Sequence, residues 1–115
     1  MQNYMENPFK KIGGAEAEYR ENYREFSELA LAAREKAESL LGEASMKKNI
    51  KERLVIERRA YTIYAALDFL ECEISPETKR VTDSLIKNNR IHGFTSKESA
   101  RTFIEDSVEL REEAA

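Results

Sequence analysis

The sequence predicts an all-α protein, a four-helix up-and-down bundle with two long antiparallel helices and two shorter ones. Three observations carry that expectation. Apolar residues recur at spacings of three and four through most of the chain, and no strand-like alternation appears. The acidic residues are overwhelmingly Glu, with Asp only at Asp68, Asp83 and Asp106; Glu tolerates helix interiors, whereas Asp competes for the backbone and prefers caps and turns. Boundary signals at Gly13-Gly14, Gly42, Ser75-Pro76, Gly93 and Thr95-Ser96-Lys97-Glu98 then cut the chain into four helical lengths.

Gly13-Gly14 closes a flexible N-terminal segment, residues 1–14, and a single domain is expected over 15–113. The first helix is expected to run from that punctuation to about Leu41, with Gly42 as its C-terminal cap. Its apolar positions are Tyr19, Tyr23, Phe26, Ala30, Ala33, Ala37, Leu40 and Ala44. They step by four and three, a heptad seam whose alanines let a neighbouring helix approach closely.

A second helix is expected from Met46 to about Ile74, and it changes character midway. Up to Arg59 it is basic, with Ile50, Leu54 and Val55 expected to face inward. From Ala60 to Ile74 it is apolar around most of its circumference and must be covered on most sides. One small chain offers limited cover, so Tyr61, Tyr64, Leu67, Phe69 and Leu70 are candidates for the core and for a homodimer interface.

Ser75-Pro76-Glu77 opens the third helix with a capping side chain, a proline at the first helical position and an acid at the positive dipole end. Val81, Leu85 and Ile86 are expected inward; the helix fades at Asn88-Asn89, and Gly93 breaks the chain. Thr95 to Glu98 reads as a capping box for the last helix, which packs Ala100, Phe103, Ile104 and Val108.

Composition excludes several function classes. At 115 residues one core can be buried without disulfides. Charged residues make up 36% of the chain, above the usual quarter, yet the net charge is only -3, so a densely ion-paired surface is expected. Lys/Glu enrichment with one Cys and one Gln is thermophile-like. No apolar run approaches the ~20 residues of a membrane span, and Met1 to Phe9 lacks a signal-peptide core. No membrane association and a cytoplasmic location are therefore expected.

Cys72, alone in an apolar helix, reads as a buried thiol in a reducing compartment. One Cys and one His make no zinc site without several carboxylates, and Asn89 stands where a di-iron bundle would carry the Glu of Glu-x-x-His. Gly13-Gly14 lacks the strand and the Lys-Ser/Thr of a phosphate loop. Neither a metal nor a cofactor is expected.

Charge is uneven along the chain. Lys47, Lys48, Lys51, Arg53, Arg58 and Arg59 face only Glu52 and Glu57 in the start of the second helix. The third helix and its exit add Lys79, Arg80, Lys87, Arg90, Lys97 and Arg101, while the first helix and the tail after Ile104 are net acidic. These basic residues either meet the acidic helix, within one chain or across a dimer, or form the basic face of an RNA-binding protein. A pI near 5.4 opposes strong unspecific phosphate binding.

The only histidine lies in Lys87-Asn88-Asn89-Arg90-Ile91-His92-Gly93-Phe94. Lys87-Asn88-x-x-x-His92-x-Phe94 resembles the Arg-Asn-x-x-x-His-x-Tyr signature of HEPN domains, and Arg59-Ala60-Tyr61-Thr62-Ile63-Tyr64-Ala65-Ala66 is similar to a run on their second helix. The resemblance implies a dimeric helical bundle and, in many members, a metal-independent endoribonuclease of toxin–antitoxin or defence type. His92 would then act as general acid/base, Lys87 with Arg90 would stabilise phosphate charge, and Asn88 would orient the pair. Phe94 and Lys97 would line the binding surface. The chain departs from the signature at Lys87, where the family's bidentate arginine becomes a point charge. His92 is otherwise read as a cation at a helix C-terminus.

Asp68 and Glu71 share a helix face, and an interior ion pair with Arg or Lys from another helix is expected of them. Tyr19, Tyr23, Tyr61 and Tyr64 are expected to cluster where the long helices meet. Together these features favour a non-enzymatic dimeric protein-interaction module, with the HEPN-like RNA-binding protein or ribonuclease, intact or degenerate, as the alternative.

Overall fold

The structure, a computed structural model, describes residues 13–114, with side-chain surroundings over 26–108. Residues 1–12 and the side chains of Tyr19 and Tyr23 lie outside that description. Four helices follow in order: α1 (Gly13–Ser45), α2 (Ile50–Phe69), α3 (Pro76–Lys87) and α4 (Lys97–Ala114). No strand occurs among the described residues. Gly13 and Gly14 belong to α1 instead of preceding it.

The alanine seam forms as the heptad spacing requires. Ala30, Ala33, Ala37, Leu40 and Ala44 of α1 are buried, and they meet Ala60, Ile63, Tyr64, Ala66 and Leu67 of α2. The two helices run antiparallel: Phe26 to Arg34 share a hollow with Leu70 to Glu73, whereas Glu43 and Lys47 share one with Glu52 to Ile56. Ala100 and Ile104 of α4 complete this core, and α3 packs on α2. Ile63, Leu67 and Ile104 are fully buried, each stabilising by about 1.5–3 kcal/mol through removal of its side chain from water.

The apolar half of α2 is thus largely covered by its own chain. Tyr64 and Leu67 are buried in the monomer, while Tyr61, Phe69 and Leu70 are half-buried against the core. The first half of α2 departs from expectation. Ile50, Leu54 and Val55 are 67%, 38% and 65% exposed, and Ile56 takes the inward position. The stripe through Leu67, Ile63 and Ala60 projects back in steps of three and four to Ile56 and Arg53, leaving Leu54 and Val55 on its flanks. In α3 the buried position is Thr82; Val81 lies outside at 41% exposed, with Leu85 and Ile86 half-buried. Thr82 satisfies its hydroxyl by donating to the Thr78 carbonyl at 2.8 Å.

Several helix ends differ from the expected ones for identifiable reasons. Gly42 keeps a negative φ and lies inside α1, which continues to Ser45. Ser45 Oγ donates to the Gly42 carbonyl at 2.7 Å, and Arg53 Nη2 donates to the Lys47 carbonyl at 3.0 Å, closing the turn. Asn49 caps α2, its Oδ1 accepting from the Glu52 amide at 3.1 Å, so that helix begins at Ile50 and not at Met46. At its other end Cys72 N–H donates to the Leu67 carbonyl at 2.8 Å and Glu71 N–H to the Asp68 carbonyl at 2.9 Å. This Schellman motif puts Glu71 at φ 65 and stops α2 short of Ile74.

The same device ends α3. Asn89 sits at φ 59, and Arg90 N–H donates to the Leu85 carbonyl at 2.8 Å. The chain therefore turns at Asn89, ahead of Gly93. Ser75 caps α3 as expected, accepting from the Thr78 amide at 3.1 Å. For α4 the cap lies one residue later than the expected box: Ser96 Oγ accepts from the Ser99 amide at 3.1 Å.

Candidate functional site

The Schellman turn after α3 sets the geometry of the His92 segment. Ile91 is buried and Phe94 half-buried, its ring 5.6 Å from that of Phe103. These two anchors leave His92 exposed between them. Lys87 is exposed at the end of α3, and Lys97 is exposed as the first residue of α4. Asn88 is the C-cap residue of α3; its Nδ2 donates to Ser84 Oγ at 3.4 Å. Among the described residues no hydrogen bond links Lys87, Asn88 and His92, and His92 donates to no helix carbonyl. The carbonyls at the end of α3 are taken by backbone amides instead.

Asn88 and Arg90 contribute to a different feature. A cleft of about 420 Å³ lies where α3 leans on α2. Leu41, Leu54, Val81 and Leu85 supply its aliphatic surface. Glu57, Arg58, Tyr61, Asn88 and Arg90 supply its polar surface. Tyr61 packs on Tyr64 with ring centroids 5.8 Å apart. Burial pushes the Tyr61 hydroxyl above the ordinary phenol range, and the neighbouring Glu57 carboxylate adds to that.

Asp68 links α2 to α3 near the start of α3. Lys79 Nζ lies 2.9 Å from Asp68 Oδ2 and 3.6 Å from Asp83 Oδ2. The hydrogen bond from Lys79 to Asp68, together with the carboxylate's charge, holds the Lys79 ammonium above its ordinary value. Asp68 pairs with a lysine from another helix as expected, but at the surface and not in the interior; Glu71 is exposed and takes no part in it.

On the other side of the hairpin a hollow of about 280 Å³ opens beside Phe26, Arg34, Glu71, Cys72 and Glu73. Arg34 Nε is buried there without a hydrogen-bond partner. The Cys72 thiol is half-buried; burial raises its pKa, and the Arg34 charge opposes the rise. Burial of this kind disfavours the thiolate, the form in which a cysteine acts as a nucleophile. Groups of His, Cys, Asp and Glu able to hold a metal ion are absent among the described residues. No helix among them is long and apolar enough to cross a membrane.

Among the described residues, ion pairs between the basic start of α2 and the acidic α1, one of the expected arrangements, are absent within the chain. Lys47, Lys48, Lys51, Arg58 and Arg59 make no salt bridge among the described residues. The sequence places Asn88 and Arg90 in a site, but its spacing puts Leu54 and Val81 in the core and so passes over the cleft. Leu31, 52% exposed on α1, also escapes the sequence pattern; its neighbours Glu28, Glu35 and Glu38 are the signal that could have found it. Comparison with protein-family models, with curated proteins and with solved structures returns no match.

Proposed function

We propose that the protein is a non-enzymatic, dimeric interaction module, an up-and-down helical bundle that meets a second copy through exposed patches of opposite charge. The observation that carries this reading is the setting of its unburied apolar residues. Met46, Ile50 and Val55 are 82%, 67% and 65% exposed, among Lys47, Lys48, Lys51 and Arg59. Leu31, 52% exposed, lies on an outward stripe of α1 with Glu28, Glu35 and Glu38. Each patch is an apolar spot with one predominant sign of charge, Glu43 and Glu52 lying within the basic one, and the two predominant signs are complementary. Apolar side chains bring affinity, while the matched charges set register and encounter rate. A two-fold axis uses both patches of each copy, as an isologous contact requires.

Sedimentation equilibrium tests the reading. The wild type sediments as a dimer, and Lys47→Glu/Lys48→Glu/Lys51→Glu sediments as a monomer. Adding Glu28→Lys/Glu35→Lys/Glu38→Lys to that variant restores the dimer. A wild type that stays monomeric at every concentration, or a dimer indifferent to both reversals, refutes the proposal.

A second reading rests on His92. Its side chain is exposed and makes no hydrogen bond among the described residues, so packing and capping give no reason for a histidine there. As a HEPN-like, metal-independent ribonuclease the dimer would set His92 against the ribose 2′-hydroxyl, Lys87 against the phosphate, and Asn88 as their orienting group. RNA cleavage in chelator at low salt, present in wild type and absent in His92→Ala, would establish it. No cleavage by either protein leaves the interaction module standing.

A further inference from the structure

We propose that the α2–α3 cleft binds a free aliphatic carboxylate of medium chain length. Its volume, about 420 Å³, is that of a single small-molecule site, which typically spans 300–1,000 Å³. The walls that would take the ligand's body are aliphatic. Leu54 and Val81 stand 38% and 41% exposed at the mouth, with Leu41 and Leu85 half-buried behind them. Filling the cleft removes this aliphatic surface from water.

The rim decides the sign of the head group. Arg58 and Arg90 line the cleft against one acid, Glu57. Neither guanidinium is engaged in a hydrogen bond or ion pair among the described residues, so both keep their donors in reserve. Asn88 adds an amide whose present bond, to Ser84 Oγ, is long at 3.4 Å. A cation would meet two like charges. A dianionic phosphate would face Glu57 with more charge than the rim balances, whereas a carboxylate matches the single net positive charge and accepts bidentate donation from arginine. A nucleobase finds only one aromatic wall, Tyr61, on an otherwise aliphatic surface. The site is independent of the dimer proposal, which uses Ile50 and Val55 and not these walls.

The test is a titration of the full ¹⁵N-labelled chain with decanoate, decanol and decyltrimethylammonium, each below its micelle concentration, followed by amide shifts. Decanoate produces saturable shifts from Leu54 to Tyr61 and from Val81 to Arg90, and the quaternary ammonium produces none. Arg58→Gln and Arg90→Gln each weaken decanoate by about tenfold, the scale of one charge-assisted hydrogen bond. Both arginines are exposed, so the fold survives, which circular dichroism verifies. Equal binding of the three head groups overturns the proposal, as does decanoate binding unchanged in both variants. Absence of saturable shifts at these positions, or shifts confined to the Arg34 hollow, overturns it too.

Discussion

Gly42 and Glu71 occupy each other's natural conformations, which makes their replacement a quantitative test of the helix boundaries. Gly42 is a right-handed residue inside α1, where a Cβ would meet nothing within 4 Å. Alanine there adds no packing and no clash; it removes only the flexibility of the unfolded glycine. The expected gain is about 0.8–1.0 kcal/mol, the difference between Gly and Ala in a helix interior. In a domain of this size that raises the melting temperature by about 4 °C. Glu71 is the converse, an exposed non-glycine at φ 65. The left-handed conformation costs an L-residue about 1–2 kcal/mol, and glycine returns part of that relief as added unfolded-state entropy. Glu71→Gly should therefore stabilise by about 0.5–1 kcal/mol. The sites lie at opposite ends of the α1–α2 hairpin, so the double variant should gain about 1.5 kcal/mol, the sum of the two. Urea unfolding followed by circular dichroism reads this as a higher midpoint with an unchanged slope. If Gly42→Ala lowers the midpoint, Gly42 is needed in the left-handed form, α1 ends at Leu41, and the account of this helix end fails.

The remaining outcomes can be checked on the same instrument. Stability should fall at alkaline pH: the folded pKa values of Cys72, Tyr61, Tyr64 and Lys79 are all raised. The unfolded chain thus loses these protons first, so their contribution is complete below about pH 8.5–9 and fades upward through the folded values. Cys72→Ala should remove the earliest part of that decline, and a flat profile to about pH 11, past the ordinary phenol and ammonium values, would refute the assignment. Ile104→Ala, at a position with no exposure, should cost about 2–5 kcal/mol through lost burial and a residual cavity. Val55→Ala, at 65% exposed, should stay within about 0.5 kcal/mol. Ser96→Ala should cost about 1 kcal/mol and Thr95→Ala almost nothing, because the capping hydroxyl belongs to Ser96; the reverse order would restore the box at Thr95.

The parts of the fold legible in the sequence are those where one dominant interaction sets the pattern. The alanine seam of α1, the proline-marked start of α3 and the core face of α4 each rest on local spacing, and each forms. Helix ends are less legible because glycine is not the only left-handed residue. Glu71 and Asn89 adopt that conformation under the pull of backbone hydrogen bonds that close each helix end, while Gly42 and Gly93 do not. The start of α2 does carry a readable signal, Asn49 three residues before Glu52. The site is the least legible part. A cleft between α2 and α3 depends on which flank of each helix faces out, and a rotation of one residue separates Val81 from Thr82.

The greasy half of α2 illustrates why apolar content alone does not locate an interface. Its circumference suggests that a second copy must cover it, yet the cover comes from within: α1 approaches through alanines, and α4 brings Ala100 and Ile104 to a third side. α4 begins beside the early part of α1, with Arg101 5.6 Å from the centroid of the Phe26 ring. That part of α1 lies against the end of α2, whereas the first turns of α2 share hollows with the end of α1 and with α3. There Ile50 and Val55 stay in water, and the basic residues around them make no salt bridge among the described residues. Unburied apolar surface and unpaired charge thus coincide on one helix end. A partner contact placed there satisfies both deficits at once, whereas one on Ala60 to Leu67 would first have to open the core.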